Sequence, residues 1–329
     1  MARPSGDSSL SPASKGTASF QQPCLEPRAL LRVLGGGILI SFSAVFVKLV
    51  SVGPSQSAFY RLLFGGVALL AVALARKARF RAPGAVWLTM VGAACLFALD
   101  LECWHRSILL IGPGLATILG NFQVFLVALA GALLLGERIT PRHMVAIPLA
   151  FTGLWLLLGV RSMNIPQDVL WGVIFGLLTA LWYAGYILLL RRSQRMEGML
   201  PALSNMAVIS LLSAIGVGLG IGAHGGSFAI PDIQAGGYLL AYGVLCQGAG
   251  WLLLSTGLPG MPASLAALVM LVQPTLSFVW DIILFGRPVD VPGMAGAALA
   301  LFAIWLGLSG RAEAVQVCKL DEHSVEKDA

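Results

Sequence analysis

Charge is what this chain has least of. Asp, Glu, Lys and Arg together make up 11% of its 329 residues, against about 25% in a soluble domain. So few charges cannot cover a water-facing surface. Disorder is excluded too, because it pairs low hydrophobicity with high net charge, whereas 57% of these residues are hydrophobic and the mean hydropathy is +0.86. The 39 glycines follow no G-X-Y period, which rules out collagen. The five cysteines show neither metal-ligand spacing nor a paired framework: Cys95, Cys103 and Cys246 fall in apolar segments, Cys24 and Cys318 towards the termini. There is no P-loop, HExxH, nucleophile elbow or CxxC pair, and the four histidines, at 105, 143, 224 and 323, are too scattered for a metal site. No metal and no cofactor is expected.

The net charge of +6 and a pI near 9.3 would suit a nucleic-acid partner, but the basic residues sit in short bursts between apolar runs, as membrane topology signals do. Nucleic acid is therefore not an expected partner. What fits is an all-α integral membrane protein: ten helices of about 21 residues with short loops use nearly the whole chain. Apolar spans are predicted near 30–50, 57–75, 84–108, 113–135, 142–159, 170–190, 200–222, 236–257, 262–285 and 291–309. Residues 1–28 are rich in Ser, Pro, Ala and Gly, lack a signal-peptide pattern and are expected to form a disordered tail. Residues 311–329 are expected to form a second, charged tail.

Lys and Arg set the orientation. With the N-terminus in the cytoplasm, the inner segments hold Arg3, Lys15, Arg28 and Arg32; Arg76, Lys77, Arg79 and Arg81; Arg138 and Arg142; Arg191, Arg192 and Arg195; and Arg311, Lys319 and Lys327. Those sixteen stand against only Arg161 and Arg287 in the outer loops. The bias predicts cytoplasmic termini. A bacterial inner membrane is the expected location.

Ten spans invite a search for duplication. Sliding the second half over the first by 150 residues pairs Ala116 with Ala266, Gln123 with Gln273, Leu126 with Leu276, Gly136 with Gly286 and Trp155 with Trp305. Five spans per half is an odd number, so the halves must lie upside down relative to each other. Inverted repeats of this kind are what alternating access requires. The expected division is 29–160 for the first repeat and 161–310 for the second.

These residues also resemble a known family. Gly-Pro-Gly-Leu-Ala-Thr at 112–117, the apolar run to Leu-Leu-Leu-Gly-Glu-Arg at 133–138, and Gly153 in the next span resemble the EamA repeat of the drug/metabolite transporter superfamily. Phe59-Tyr60-Arg61 resembles its aromatic-plus-arginine signature, and Lys48 ends the first span as in many members. Gln273-Pro274-Thr275 and Gly286-Arg287-Pro288 repeat the resemblance in the second half, with Arg287 where a Glu is usual. The resemblance implies two five-helix repeats with helices 1, 3, 4, 6, 8 and 9 around a central cavity and helices 5 and 10 at the periphery. It further implies a carrier, in most members an exporter, of amino acids, nucleotide-like metabolites or drugs.

Polar groups inside the spans are costly and so mark candidate sites. Asp100 follows sixteen uncharged positions, about 24 Å into its span at 1.5 Å per residue. It shares a helix face with Trp104, while Glu102, His105 and Arg106 share another. One reading makes Asp100 or Glu102 a proton- or cation-binding carboxylate beside a stacking Trp104. The other makes the cluster an interfacial belt, with a Glu102–Arg106 pair and His105 at headgroup level. Gln123 and Gln273, about 14–16 Å into their spans, and Asn121 beside Gln123 are expected to line the cavity. Pro274 frees a carbonyl next to Gln273. Trp182, Tyr186 and Trp251 are candidate aromatic walls. Lys48 and Arg61 are expected to anchor helix ends or to pair with an acidic neighbour, Asp100 among them, and Asp281 to pair with Arg287.

A secondary transporter of small organic solutes, proton coupling included, accounts for most of this. A polytopic sensor, or an intramembrane enzyme using Asp100 and His105, needs no inverted repeat. The expected partners are a small-molecule substrate and the lipid bilayer, with a homodimer through the peripheral helices left open.

Overall fold

The computed structural model describes residues 27–135, 141–158, 166–258, 269–307 and 309. Among these are ten helices and no strand. We number them α1 Pro27–Leu49, α2 Pro54–Ala75, α3 Gly84–Ile111, α4 Pro113–Leu133, α5 Pro141–Leu158, α6 Gln167–Ser193, α7 Ala202–Ala223, α8 Ile233–Gly257, α9 Val272–Phe285 and α10 Val291–Gly307. Seven of them, α1–α4 and α6–α8, are long and apolar enough to cross a membrane; α9 and α10 are shorter apolar helices. The expected C-terminal tail, the Gly136-Glu137-Arg138 motif and Arg161 lie outside the described residues, as does the expected N-terminal tail up to residue 26. α1 already begins at Pro27.

The helix limits follow from local chemistry. Proline opens α2, α4 and α5 and immediately precedes α3, α6 and α7, positions where its missing N–H costs nothing. Asp232 accepts a hydrogen bond from the Ala235 amide at 2.7 Å to start α8, and Asp290 accepts one from Gly293 at 2.9 Å at the start of α10. Gly286, at φ +62°, ends α9 in a left-handed cap.

Three pairs of helices correspond at an offset of about 150 residues: α2 with α7, α3 with α8, α5 with α10. Successive spans run antiparallel, so the turns at 50–53, 112 and 286–290 share one end of the bundle. We call this the far end; α1 starts at the near end. α3 lies along α6 and α2 along α7, with α8 against α1 and α2. Small residues let backbones approach closely. A Cβ on Gly65 of α2 would stand 2.4 Å from the Gln247 side chain and 2.8 Å from the Gly243 carbonyl oxygen in α8. At the periphery α5 and α10 meet at Gly153 and Gly296, where a Cβ on Gly153 would lie 2.6 Å from the Ala300 nitrogen. Large apolar side chains such as Leu133, Phe151, Trp155, Leu219 and Val291 point outwards and are exposed, where a bilayer covers them.

Three interruptions shape the interior. α1 breaks at Phe42, α4 at Asn121–Phe122, and a turn at Leu271 immediately precedes α9. The last two are 150 residues apart, so each repeat breaks its helix just before its glutamine, Gln123 or Gln273. In α4 the amides of Phe122, Val124 and Phe125 bond three residues back rather than four, and the Asn121 side chain donates to the Thr117 carbonyl at 2.8 Å, competing with the helix ladder. In α9, Pro274 has no amide hydrogen for the Met270 carbonyl. A fourth irregularity is a π-helical stretch over Tyr242–Gly250 in α8; the wider turn re-aims the side chains that follow it.

Candidate functional site

The α4 and α9 breaks lie on a cavity of about 710 Å³, open mouth included. Its wall comes from α1 (Ile40), α3 (Phe97, Asp100, Leu101, Trp104), α4 (Thr117, Gly120, Asn121, Gln123), α6 (Thr179, Tyr183), α8 (Trp251, Leu254) and α9 (Gln273), together with Met270 just before α9. A seventh helix, α2, adds Arg61. Both repeats contribute.

The far end of this space is closed. Asp281 of α9, nearly fully buried, accepts from the Gly114 amide at 3.1 Å and from Arg287 Nη1 at 3.0 Å. The same Arg287 nitrogen donates to the Ile111 carbonyl at 3.0 Å. One acid and one base of the second repeat thus clasp the α3–α4 turn of the first. The turn fits only because Gly112, at φ +88°, has no Cβ; one built there would lie 2.7 Å from Asp281 Oδ2. Trp280 adds a ring stack on Phe42 at 4.8 Å and an indole N–H to Ser41 Oγ at 3.0 Å. Among the described residues, Pro113–Gly120 of α4 packs on α9 and α6, and Gln123–Leu135 packs on α6 and α5.

Within the cavity wall, Asp100 is 5% exposed and Arg61 4%. Among the described residues no donor reaches the Asp100 carboxylate, and no acid lies within ion-pair distance of Arg61. Arg61 is held by neutral groups instead. Its Nε donates to Gln247 Oε1 and its Nη1 to the Tyr242 hydroxyl, both at 2.9 Å. Gln247 passes a hydrogen bond to Ser210 Oγ at 3.1 Å. His105 Nδ1 donates to the Leu101 carbonyl at 2.6 Å, since a carbonyl can only accept, which leaves Nε2 to accept the Tyr242 hydroxyl hydrogen at 3.1 Å. The guanidinium carbon stands over the Trp104 and Tyr242 rings, 5.5 and 5.1 Å from their centres, a favourable place for a cation.

The family model for EamA-like transporters matches residues 27–159 and 170–309, once for each half. The chain belongs to the EamA-like transporter family. It is 28% identical over 259 residues to an uncharacterized transporter of Bacillus subtilis (strain 168), YwfM, covering 77% of this chain and 84% of that protein. It is also 24% identical over 270 residues to an uncharacterized transporter of Archaeoglobus fulgidus, covering 81% and 91%. A solved crystal structure shares the fold, with a TM-score of 0.62 at 20% identity over 85% of this chain and 97% of its own. The protein is thus an integral membrane transporter.

In this EamA-like transporter the sequence candidates separate cleanly. Asp100, Trp104, Asn121, Gln123, Trp251 and Gln273 share the cavity. Trp182 and Tyr186 do not line it. On α6 the cavity-facing pair is Thr179 and Tyr183, four residues apart, and Trp182 is turned about 100° away, beside the Cys103 thiol. Tyr186 stacks on Phe97 at 4.7 Å and on Tyr183 at 5.6 Å, behind the wall. Lys48 is exposed, sits 5.2 Å over Phe285 and does not line the cavity with Asp100. Glu102 pairs with Arg106 at 2.6 Å and accepts from Ser55. His105 is completely buried, and Tyr242 and Leu101 satisfy both of its ring nitrogens. Arg61 is no helix-end anchor, because Tyr242 and Gln247 draw it inwards. Tyr242 and Gln247 are not among the sequence candidates, although an amide inside an apolar span is the same signal that singles out Gln123.

Proposed function

We propose that this transporter is a secondary exporter of small organic solutes that works by alternating access between its two inverted repeats, coupled to protons at Asp100. The observation that carries the reading is the buried carboxylate in the shared cavity with no donor among the described residues. Such a group must hold a proton or a cation, and when one displaces the other, loading and unloading of cargo are tied to a proton gradient. Matched helix breaks in α4 and α9 and the glutamines behind them supply unsatisfied polar groups on both sides of the repeat axis, as in other carriers with discontinuous helices. The Asp281–Arg287 clasp supports a conformer closed at the far end. With both termini in the cytoplasm of a bacterial inner membrane, the near end is the cytoplasmic one and the cavity is poised to load from inside.

Flux from proteoliposomes, measured against pH for wild type and Asp100→Asn, tests the coupling. The wild type should show a pH-dependent limb that the variant lacks. Superimposable pH profiles would make Asp100 a structural residue. Reporter fusions at Ala329 and within 223–235 test the orientation, and a periplasm-active signal at Ala329 would reverse it.

A further inference from the structure

We propose that Arg61 is a specificity-determining residue that holds an anionic oxyacid group of the cargo while Asp100 receives its cationic group, so that the cavity selects zwitterionic solutes over purely cationic ones. The proposal rests on the transport reading above. Its starting point is an unusual arrangement: an acid and a base, each at least 95% buried, line one cavity without forming an ion pair. Leaving both unpaired is expensive. A ligand bearing both signs in the opposite order would satisfy each of them at once, whereas a cation would satisfy one and repel the other.

Arg61 is built for this task. Its Nε and Nη1 are committed to Gln247 and Tyr242, and the Trp104 and Tyr242 rings confine the guanidinium plane. Among the described residues no acceptor takes the Nη2 hydrogens, and Arg61 lines the cavity. The Nη2 hydrogens, held in place in this way, can donate to an oxygen of a carboxylate or phosphonate, and little side-chain freedom remains to be lost on binding. The His105–Tyr242 hydrogen bond belongs to the same device. With Nδ1 tied to Leu101, His105 accepts the Tyr242 proton, which turns the hydroxyl's lone pairs towards Arg61. Trp104, Tyr183 and Trp251 leave apolar surface for the body of the solute.

The test uses four probes on one scaffold: phenylalanine, phenethylamine, 3-phenylpropionate and 3-phenylpropionamide. Binding to the purified full chain is followed by tryptophan fluorescence, Trp104 and Trp251 being in the wall. Wild type should bind phenylalanine at least tenfold more tightly than any of the other three. Arg61→Gln should bring phenylalanine down to the affinity of phenethylamine, and Arg61→Lys should keep part of the preference. Asp100→Asn should instead bring phenylalanine down to 3-phenylpropionate. The wild-type series alone already decides the matter if Arg61→Gln fails to fold. Phenethylamine binding as tightly as phenylalanine, an unchanged preference in Arg61→Gln, or no binding of any probe would each overturn the proposal. Transport of some other solute with an Asp100-dependent pH profile would still stand in those cases, so the two readings fail separately.

Discussion

Removing Arg287 should open the far end. In the closed form Asp281 is 3% exposed at its side chain and Arg287 18%, with 3.0 Å between Oδ2 and Nη1. Deleting one partner of a buried pair costs about 3–5 kcal/mol, because the other charge is stranded; partial exposure of the arginine puts Arg287→Ala at the low end, about 3 kcal/mol. The variant also loses the bond to the Ile111 carbonyl. This cost falls on the closed conformer alone, since separating α9 from the α3–α4 turn lets water reach Asp281. A differential of about 3 kcal/mol shifts the two populations by roughly a hundredfold. The assay is labelling of a single cysteine at Asn121, with the five native cysteines replaced by serine, using a membrane-impermeant maleimide applied from either side of oriented vesicles. Labelling from the far side should rise steeply in Arg287→Ala and fall back in the Asp281→Asn/Arg287→Ala double variant, which removes the stranded charge. Equal labelling of parent, single and double variants would refute the idea that this pair holds the closed state.

Two further outcomes are expected. Gln123→Leu and Gln273→Leu should each lower flux severalfold without loss of folded protein, since a neutral hydrogen bond contributes about 0.5–1.5 kcal/mol; normal flux in both would make them packing residues. Gly65→Ala should lower the thermal midpoint through an overpacking cost of about 1–3 kcal/mol, because its Cβ would meet Gln247 at 2.4 Å. The same push dislodges the amide that holds Arg61, so phenylalanine affinity should drop with it, and an unchanged affinity would separate Gln247 from the site.

Much of this transporter is legible in one dimension. Hydropathy and the scarcity of charge decide for a membrane protein, because a bilayer leaves a chain few structures that satisfy every backbone group. The 150-residue offset between halves already pairs Gln123 with Gln273. The Glu102–Arg106 and Asp281–Arg287 pairs are legible for local reasons: partners four residues apart meet on one helix face, and the left-handed cap at Gly286 turns Arg287 back towards Asp281. Tertiary structure alone decided the rest. α6 is apolar around its whole circumference, so no polar face tells Tyr183 from Trp182, and a one-residue difference is a turn of 100°. Arg61 changed from helix-end anchor to cavity residue because Tyr242 and Gln247, 181 and 186 residues further along the chain, reach it from α8. Hydrogen bonds over that separation, aimed by a π-helical stretch and admitted by glycines at 65 and 243, leave no periodic trace in the sequence; they exist only once the two helices are packed.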